Sequence, residues 1–141
     1  MIEALEIDRL VLLGDSIGGA AAVRYAAELP ACVDGLILSN SGGFDRGGFL
    51  AGIWRSFRTA EAEQRALAAR LTMPVLVAWA SEDRIIRGSR SRAAIEAIPN
   101  GRVVMFQAGH SPFLGTALAF AAEARVFLCG LRRACCYTRG N

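Results

Sequence analysis

The sequence predicts an α/β fold: four mostly parallel strands joined by crossover helices, in one domain spanning residues 1–141. Two observations predict it. Short apolar runs alternate along the chain with longer segments rich in Ala or spaced as amphipathic helices, the pattern of a parallel sheet buried on both faces. Apolar residues make up 53% of the 141, enough to build one core and too many for a disordered chain.

Taken in order, Arg9 to Leu13 reads as a buried strand that ends at Gly14. Ile17 to Leu29 is Ala-rich and is stopped by Pro30, so a helix follows at once. Gly35 to Ser39 is the second strand, and Ser41-Gly42-Gly43 opens a loop. Phe49, Ile53, Trp54 and Phe57 then recur at helical spacing, and a short helix runs from Thr59, its expected N-cap, to Arg70. Pro74 to Trp79 is the third strand, with Pro tolerated at its first position. Ser89 to Ile98 is a helix ended by Pro99-Asn100-Gly101, and Arg102 to Phe106 is the fourth strand. A long helix is expected from Gly115 to Leu131. Residues 132–141 are polar and without pattern, and read as a flexible tail.

Charge and cysteine usage exclude several classes. All sixteen cationic residues are Arg, and they are spread along the chain, apart from Arg84 to Arg92 and the pair Arg132-Arg133. No basic face with interleaved aromatics emerges, so no nucleic-acid partner is expected. The N-terminus is acidic and lacks the apolar core of a signal peptide, and Arg24 and Glu28 interrupt the longest small-apolar stretch. Neither a membrane span nor export is expected; the reading is cytoplasmic. Cys32, Cys129, Cys135 and Cys136 lack the paired spacing of a zinc site and read as free thiols. No metal and no cofactor is expected.

The chemistry-bearing residues fall after the strands. Gly14-Asp15-Ser16-Ile17-Gly18 matches G-x-S-x-G. That string is weak in a chain with 15 glycines, but here it joins a hydrophobic strand to an Ala-rich helix. So tight a turn needs glycine at its flanks and projects the serine hydroxyl out of the sheet. Gly18 and Gly19 would let the helix approach neighbouring strands. The competing reading is a glycine-rich turn that holds a phosphate or nothing. A serine hydroxyl needs a base, and the chain has a single histidine, His110, in Ala108-Gly109-His110-Ser111-Pro112 after the fourth strand. An imidazole base needs a carboxylate to hold its tautomer. Asp83 follows the third strand and is the favoured acid, with Glu82 as its rival.

With these segments in view, the chain from Ile2 to Leu128 resembles the C-terminal part of an α/β-hydrolase fold serine esterase. The resemblance rests on Leu12-Leu13-Gly14-Asp15-Ser16-Ile17-Gly18-Gly19, on Pro74 to Trp79 with Asp83, and on Gly109-His110-Ser111-Pro112-Phe113, in the order nucleophile, acid, base. It implies Ser16 as nucleophile, Asp83 as acid, His110 as base, and the backbone N–H of Ile17 as one oxyanion donor. It further implies hydrolysis of small-molecule carboxylic esters with small or medium acyl chains. A serine at the elbow argues against relatives of this fold that use an aspartate nucleophile.

The departures from the family pattern carry their own expectations. Asp15 puts a carboxylate beside the nucleophile, where it either tunes the serine or is neutral. The interval from Ser16 to Asp83 is short for a full helical cap, so residues 44–70 read as a cap remnant. Phe49, Ile53, Trp54 and Phe57 line an acyl site or pack on the sheet. The family's earlier strands would precede Arg9, and with them a loop that supplies the second oxyanion donor; one such donor is worth about 10²–10³ in kcat. Ser41 to Gly43, or a partner chain, is the candidate substitute. The strand at Leu10 to Leu13 becomes an open apolar edge, so a homo-oligomer through the sheet edge or face is expected, with a catalytically impaired half-domain that works by association as the alternative reading.

Overall fold

A computed structural model describes residues 3–41, 61–86 and 95–138. Strand β1 (Leu10–Asp15) leads into helix α1 (Ile17–Glu28), and a 3₁₀ turn at Pro30–Cys32 returns the chain to β2 (Val33–Ser39). Helix α2 (Glu61–Ala68) precedes β3 (Val75–Ala80), and β4 (Gly101–Phe106) is followed by the short helix α3 (Pro112–Gly115) and the long helix α4 (Ala117–Thr138). The sheet order is β1-β2-β3-β4, and each neighbouring pair is parallel. Each expected strand is therefore present, and all their C-terminal ends lie along one rim.

The alternation of side chains along each strand divides the core in two. On one face Leu36, Leu38, Val75, Val77 and Trp79 pack with Val23 and Ala26 of α1, Leu67 and Ala68 of α2, and Ile98. Leu10 and Leu12 of β1 lean on that same cluster. The small residues of α1 let it lie close to the sheet. On the opposite face Ile37, Leu76, Ala78 and Phe106 meet Phe120, Ala124 and Phe127, which repeat at helical spacing along α4. Phe113 and Phe120 stack edge to face, with centroids 5.9 Å apart, and fasten α3 to α4. Helices α1 and α2 thus cover one face, and the final helix covers the other.

One expectation changes. The last helix does not stop near Leu131 but continues through Thr138, so residues 132–138 of the expected tail are helical. In the sequence Arg132, Arg133 and Ala134 interrupt the apolar period without removing helix propensity, because Arg and Ala are good helix formers. The helix expected from Ser89 lies mostly outside the described residues; its end at Ile95 and Glu96 is helical. The cap remnant at 44–70 and the aromatic set Phe49, Ile53, Trp54 and Phe57 likewise lie outside the described residues, apart from α2.

Strand β1 is the sheet edge and pairs only with β2 among the described strands. Its side chains on the α4 face, Val11 and Leu13, are 38% and 53% exposed. No helix among the described residues is long and apolar enough to cross a membrane.

Candidate active site

The elbow forms because β1 ends on Asp15 and α1 begins on Ile17, with Ser16 alone to make the turn. Ser16 adopts φ 51° and ψ −122°, a conformation that a non-glycine residue occupies only under tertiary constraint. Its amide donates to the Ser39 carbonyl at 2.9 Å, and its carbonyl accepts from Gly19 N–H at 3.1 Å, so both sides of the turn are pinned. Ser16 occupies the N-cap position, yet its hydroxyl makes no capping bond. That leaves Oγ for His110.

Close backbone packing explains two of the three elbow glycines. A Cβ on Gly14 would lie 2.7 Å from the Gly19 Cα, and one on Gly19 would lie 2.1 Å from the Ser41 Oγ. Gly18 differs from expectation, since a Cβ there meets nothing within 4 Å. Ser41, fully buried, donates its hydroxyl to the Gly14 carbonyl at 3.3 Å and braces the strand side of the elbow. That hydroxyl is thus engaged in the scaffold, while Gly42 and Gly43 lie outside the described residues.

His110 sits on the loop between β4 and α3, and its Nε2 lies 2.9 Å from the Ser16 Oγ. On the other side of the ring, Nδ1 lies 2.9 Å from Asp83 Oδ2. The imidazole is partly open to solvent, whereas the Asp83 side chain is 1% exposed. The loops that carry Asp83 and His110 are tied together by the Glu82 N–H, which donates to the Ala108 carbonyl at 3.1 Å. Glu82 itself is exposed, so Asp83 and not its rival faces the ring.

Burying a carboxylate is costly unless its oxygens find donors. Asp83 Oδ1 accepts from the backbone N–H groups of Ile85 at 2.7 Å and Ile86 at 2.9 Å. Oδ2 accepts from the Asn40 amide at 2.6 Å as well as facing His110. In the sequence Ser41 stands out only as a substitute oxyanion donor and Asn40 does not stand out, although both follow the apolar run Leu36 to Leu38 and Ser39 at the C-terminal rim of a parallel sheet. Ile17 opens α1, so its backbone N–H is among the first-turn donors that a helix leaves without an internal acceptor. Among the described residues, Asp15 Oδ1, Ser39 Oγ and Trp79 Nε1 are buried without a hydrogen-bond partner.

The strain at residue 16 gives a testable result. Conformations of this kind cost about 1–3 kcal/mol, which glycine relieves at an entropic cost of about 0.5–1 kcal/mol. Ser16→Gly is expected to be more stable than Ser16→Ala by about 1 kcal/mol in urea unfolding. A Ser16→Gly protein that unfolds earlier than Ser16→Ala would show the elbow to be unstrained.

Solved structures with this arrangement of elements are numerous. A serine hydrolase of Cycloclasticus zankles superposes with a TM-score of 0.78 at 16% identity, over 92% of this chain and 67% of its own. The enol-lactonase of Burkholderia xenovorans gives 0.75 at 19% identity, over 91% and 68%. An esterase of a Rhodococcus species gives 0.71 at 18% identity, over 92% and 69%. The chain has a partial α/β-hydrolase fold. It is partial because the chain spans between 54% and 70% of the lengths of such structures. No family model matches the sequence. Uncharacterized proteins of Mycobacterium tuberculosis and Mycobacterium bovis share 40% identity over 43 residues, which is 30% of this chain and 13% of theirs.

Proposed function

We propose that the protein is a serine hydrolase that cleaves carboxylic esters of small or medium acyl chains through an acyl-enzyme. The observation that carries this reading is the unbroken line of contacts from Ser16 Oγ through the His110 ring to Asp83 Oδ2, with 2.9 Å at each step. In this reading Asp83 holds the imidazole with its proton on Nδ1, so that Nε2 presents a lone pair to the hydroxyl. As Oγ attacks the ester carbonyl, Nε2 takes the proton; the developing oxyanion accepts a bond from Ile17 N–H. His110 then returns the proton to the departing alkoxide. Water, activated by the same nitrogen, attacks the acyl group and frees Ser16. The helix-end N–H of Ile17 is the oxyanion donor that this reading takes from the described residues.

The test is hydrolysis of p-nitrophenyl butyrate by purified protein, followed by acid quench and mass spectrometry. An early burst of p-nitrophenol and a butyryl adduct on the peptide containing Ser16 are expected. Steady turnover with no adduct on that peptide, or no turnover at all, would refute the reading.

A second reading concerns assembly, and the open β1 edge favours it. Unpaired strand groups flanked by exposed Val11 and Leu13 invite another chain. We propose that the protein self-associates through this edge or face, and that activity is low in the isolated chain. Sedimentation at micromolar concentration is expected to give a dimer or larger species that Leu13→Arg dissociates; a monomer throughout would count against it. We further propose that the protein works in the cytoplasm, a reading favoured by the free thiols of Cys32 and Cys129 among the described residues.

A further inference from the structure

We infer that Asn40 is a positioning residue of this hydrolase, acting on His110 through Asp83; the inference rests on the serine-hydrolase reading above. Asn40 is completely buried and stands directly after β2, with φ 38° in the left-handed region that Asn tolerates better than most residues. Its amide cannot be turned around. Oδ1 accepts from the Ala80 N–H at 2.7 Å, which forces Nδ2 to be the group that meets Asp83 Oδ2 at 2.6 Å. The Asn40 backbone N–H in turn donates to the Ala78 carbonyl, so the residue is held at both ends by β3.

The consequence is geometric. With Oδ1 held by two backbone donors, one further donor on Oδ2 fixes the plane of the Asp83 carboxylate and leaves a single acceptor direction, the one that His110 Nδ1 occupies. Without Asn40 the buried carboxylate keeps its Oδ1 bonds but is free to twist about them. The imidazole then loses a defined partner, and with it the orientation that points Nε2 at Ser16. Charge-assisted bonds of this kind in a buried site are the stronger ones.

Two replacements suit the backbone at residue 40. Asn40→Asp has the same shape, tolerates the left-handed conformation and keeps an acceptor for Ala80 N–H, but it presents an oxygen to Asp83. Asn40→Gly accepts the conformation and removes the side chain. Both are expected to lower kcat for p-nitrophenyl butyrate by about 10- to 100-fold with KM within about threefold of the parent.

A readout that needs no turnover accompanies these. His110 is the only histidine, so its Asp83-bonded N–H gives one far-downfield proton resonance. That resonance is expected in the parent and lost to water exchange in Asn40→Gly. A resonance unchanged in Asn40→Gly, or kcat within about twofold of the parent in both variants, would each overturn the inference. A parent without Ser16-dependent turnover would instead refute the hydrolase reading, and the resonance would still decide the role of Asn40.

Discussion

Replacing Ser16 or His110 by Ala is expected to lower kcat for an acyl ester by about 10⁴- to 10⁶-fold, and replacing both is expected to cost no more than the worse single change. The reason is that neither group works alone. At neutral pH a serine hydroxyl is a weak nucleophile until a base removes its proton, and an imidazole without the hydroxyl has nothing to activate on the elbow. Because the two sit 2.9 Å apart and act on one proton, deleting either removes the whole step. Asp83→Asn extends the test. Its oxygen would stay with the Ile85 and Ile86 N–H donors, turning its amide toward the Asn40 amide and His110 Nδ1, so that donor would meet donor. The ring would switch its proton to Nε2 and could not accept the serine proton, with an expected loss of about 10⁴. The measurement is kcat at saturating p-nitrophenyl butyrate for the parent, three single variants and the Ser16/His110 double variant. If the double variant's loss equalled the product of the single losses, the two residues would be acting independently, and the relay would not exist.

Gly14→Ala is expected to destabilise the fold by about 3 kcal/mol or more, while Gly18→Ala, four residues away on the same motif, is expected to be neutral or slightly stabilising. At Gly14 the added carbon would face backbone on every side: Gly19 Cα at 2.7 Å, Gly18 O at 2.8 Å and Gly19 N at 2.9 Å. None of these atoms can rotate away, so β1 and the first turn of α1 would have to separate. Gly19→Ala is expected to behave similarly, since its carbon would meet both Cβ and Oγ of the buried Ser41. That hydroxyl braces the Gly14 carbonyl, so the same substitution also loosens the strand under Ser16. At Gly18 the space is open and a helical position gains about 0.5–1 kcal/mol from Ala. Urea unfolding of the three variants checks this; equal losses at Gly14 and Gly18 would show that glycine is needed here for a reason other than close packing.

Much of this site was legible in the residues because its determinants are local. Strand, glycine, serine and Ala-rich helix lie next to one another in the chain, and their order sets where Ser16 must stand. Asp83 and His110 could be assigned to the same rim because parallel strands place all their C-terminal ends on one side, whatever the connections do. The helix end at Thr138 was not legible, because the residues after Leu131 do not continue the Phe120, Ala124, Phe127 repeat by which the helix is recognised, while Arg and Ala keep the propensity to form one.

The amino-acid sequence alone determined the strand–turn–helix around Ser16, the four parallel strands and the chemical types gathered at their ends, since each depends on neighbours in the chain and on side-chain period. Only the tertiary structure decided between Glu82 and Asp83, since that choice depends on which carboxylate the Ile85 and Ile86 amides and the Ala108 contact turn inward. It alone drew Asn40 into the site and separated the tight Gly14 and Gly19 from the unconstrained Gly18. Those distinctions rest on ångström-scale approaches between segments far apart in the chain, and no pattern of residue types along a single strand or helix encodes them.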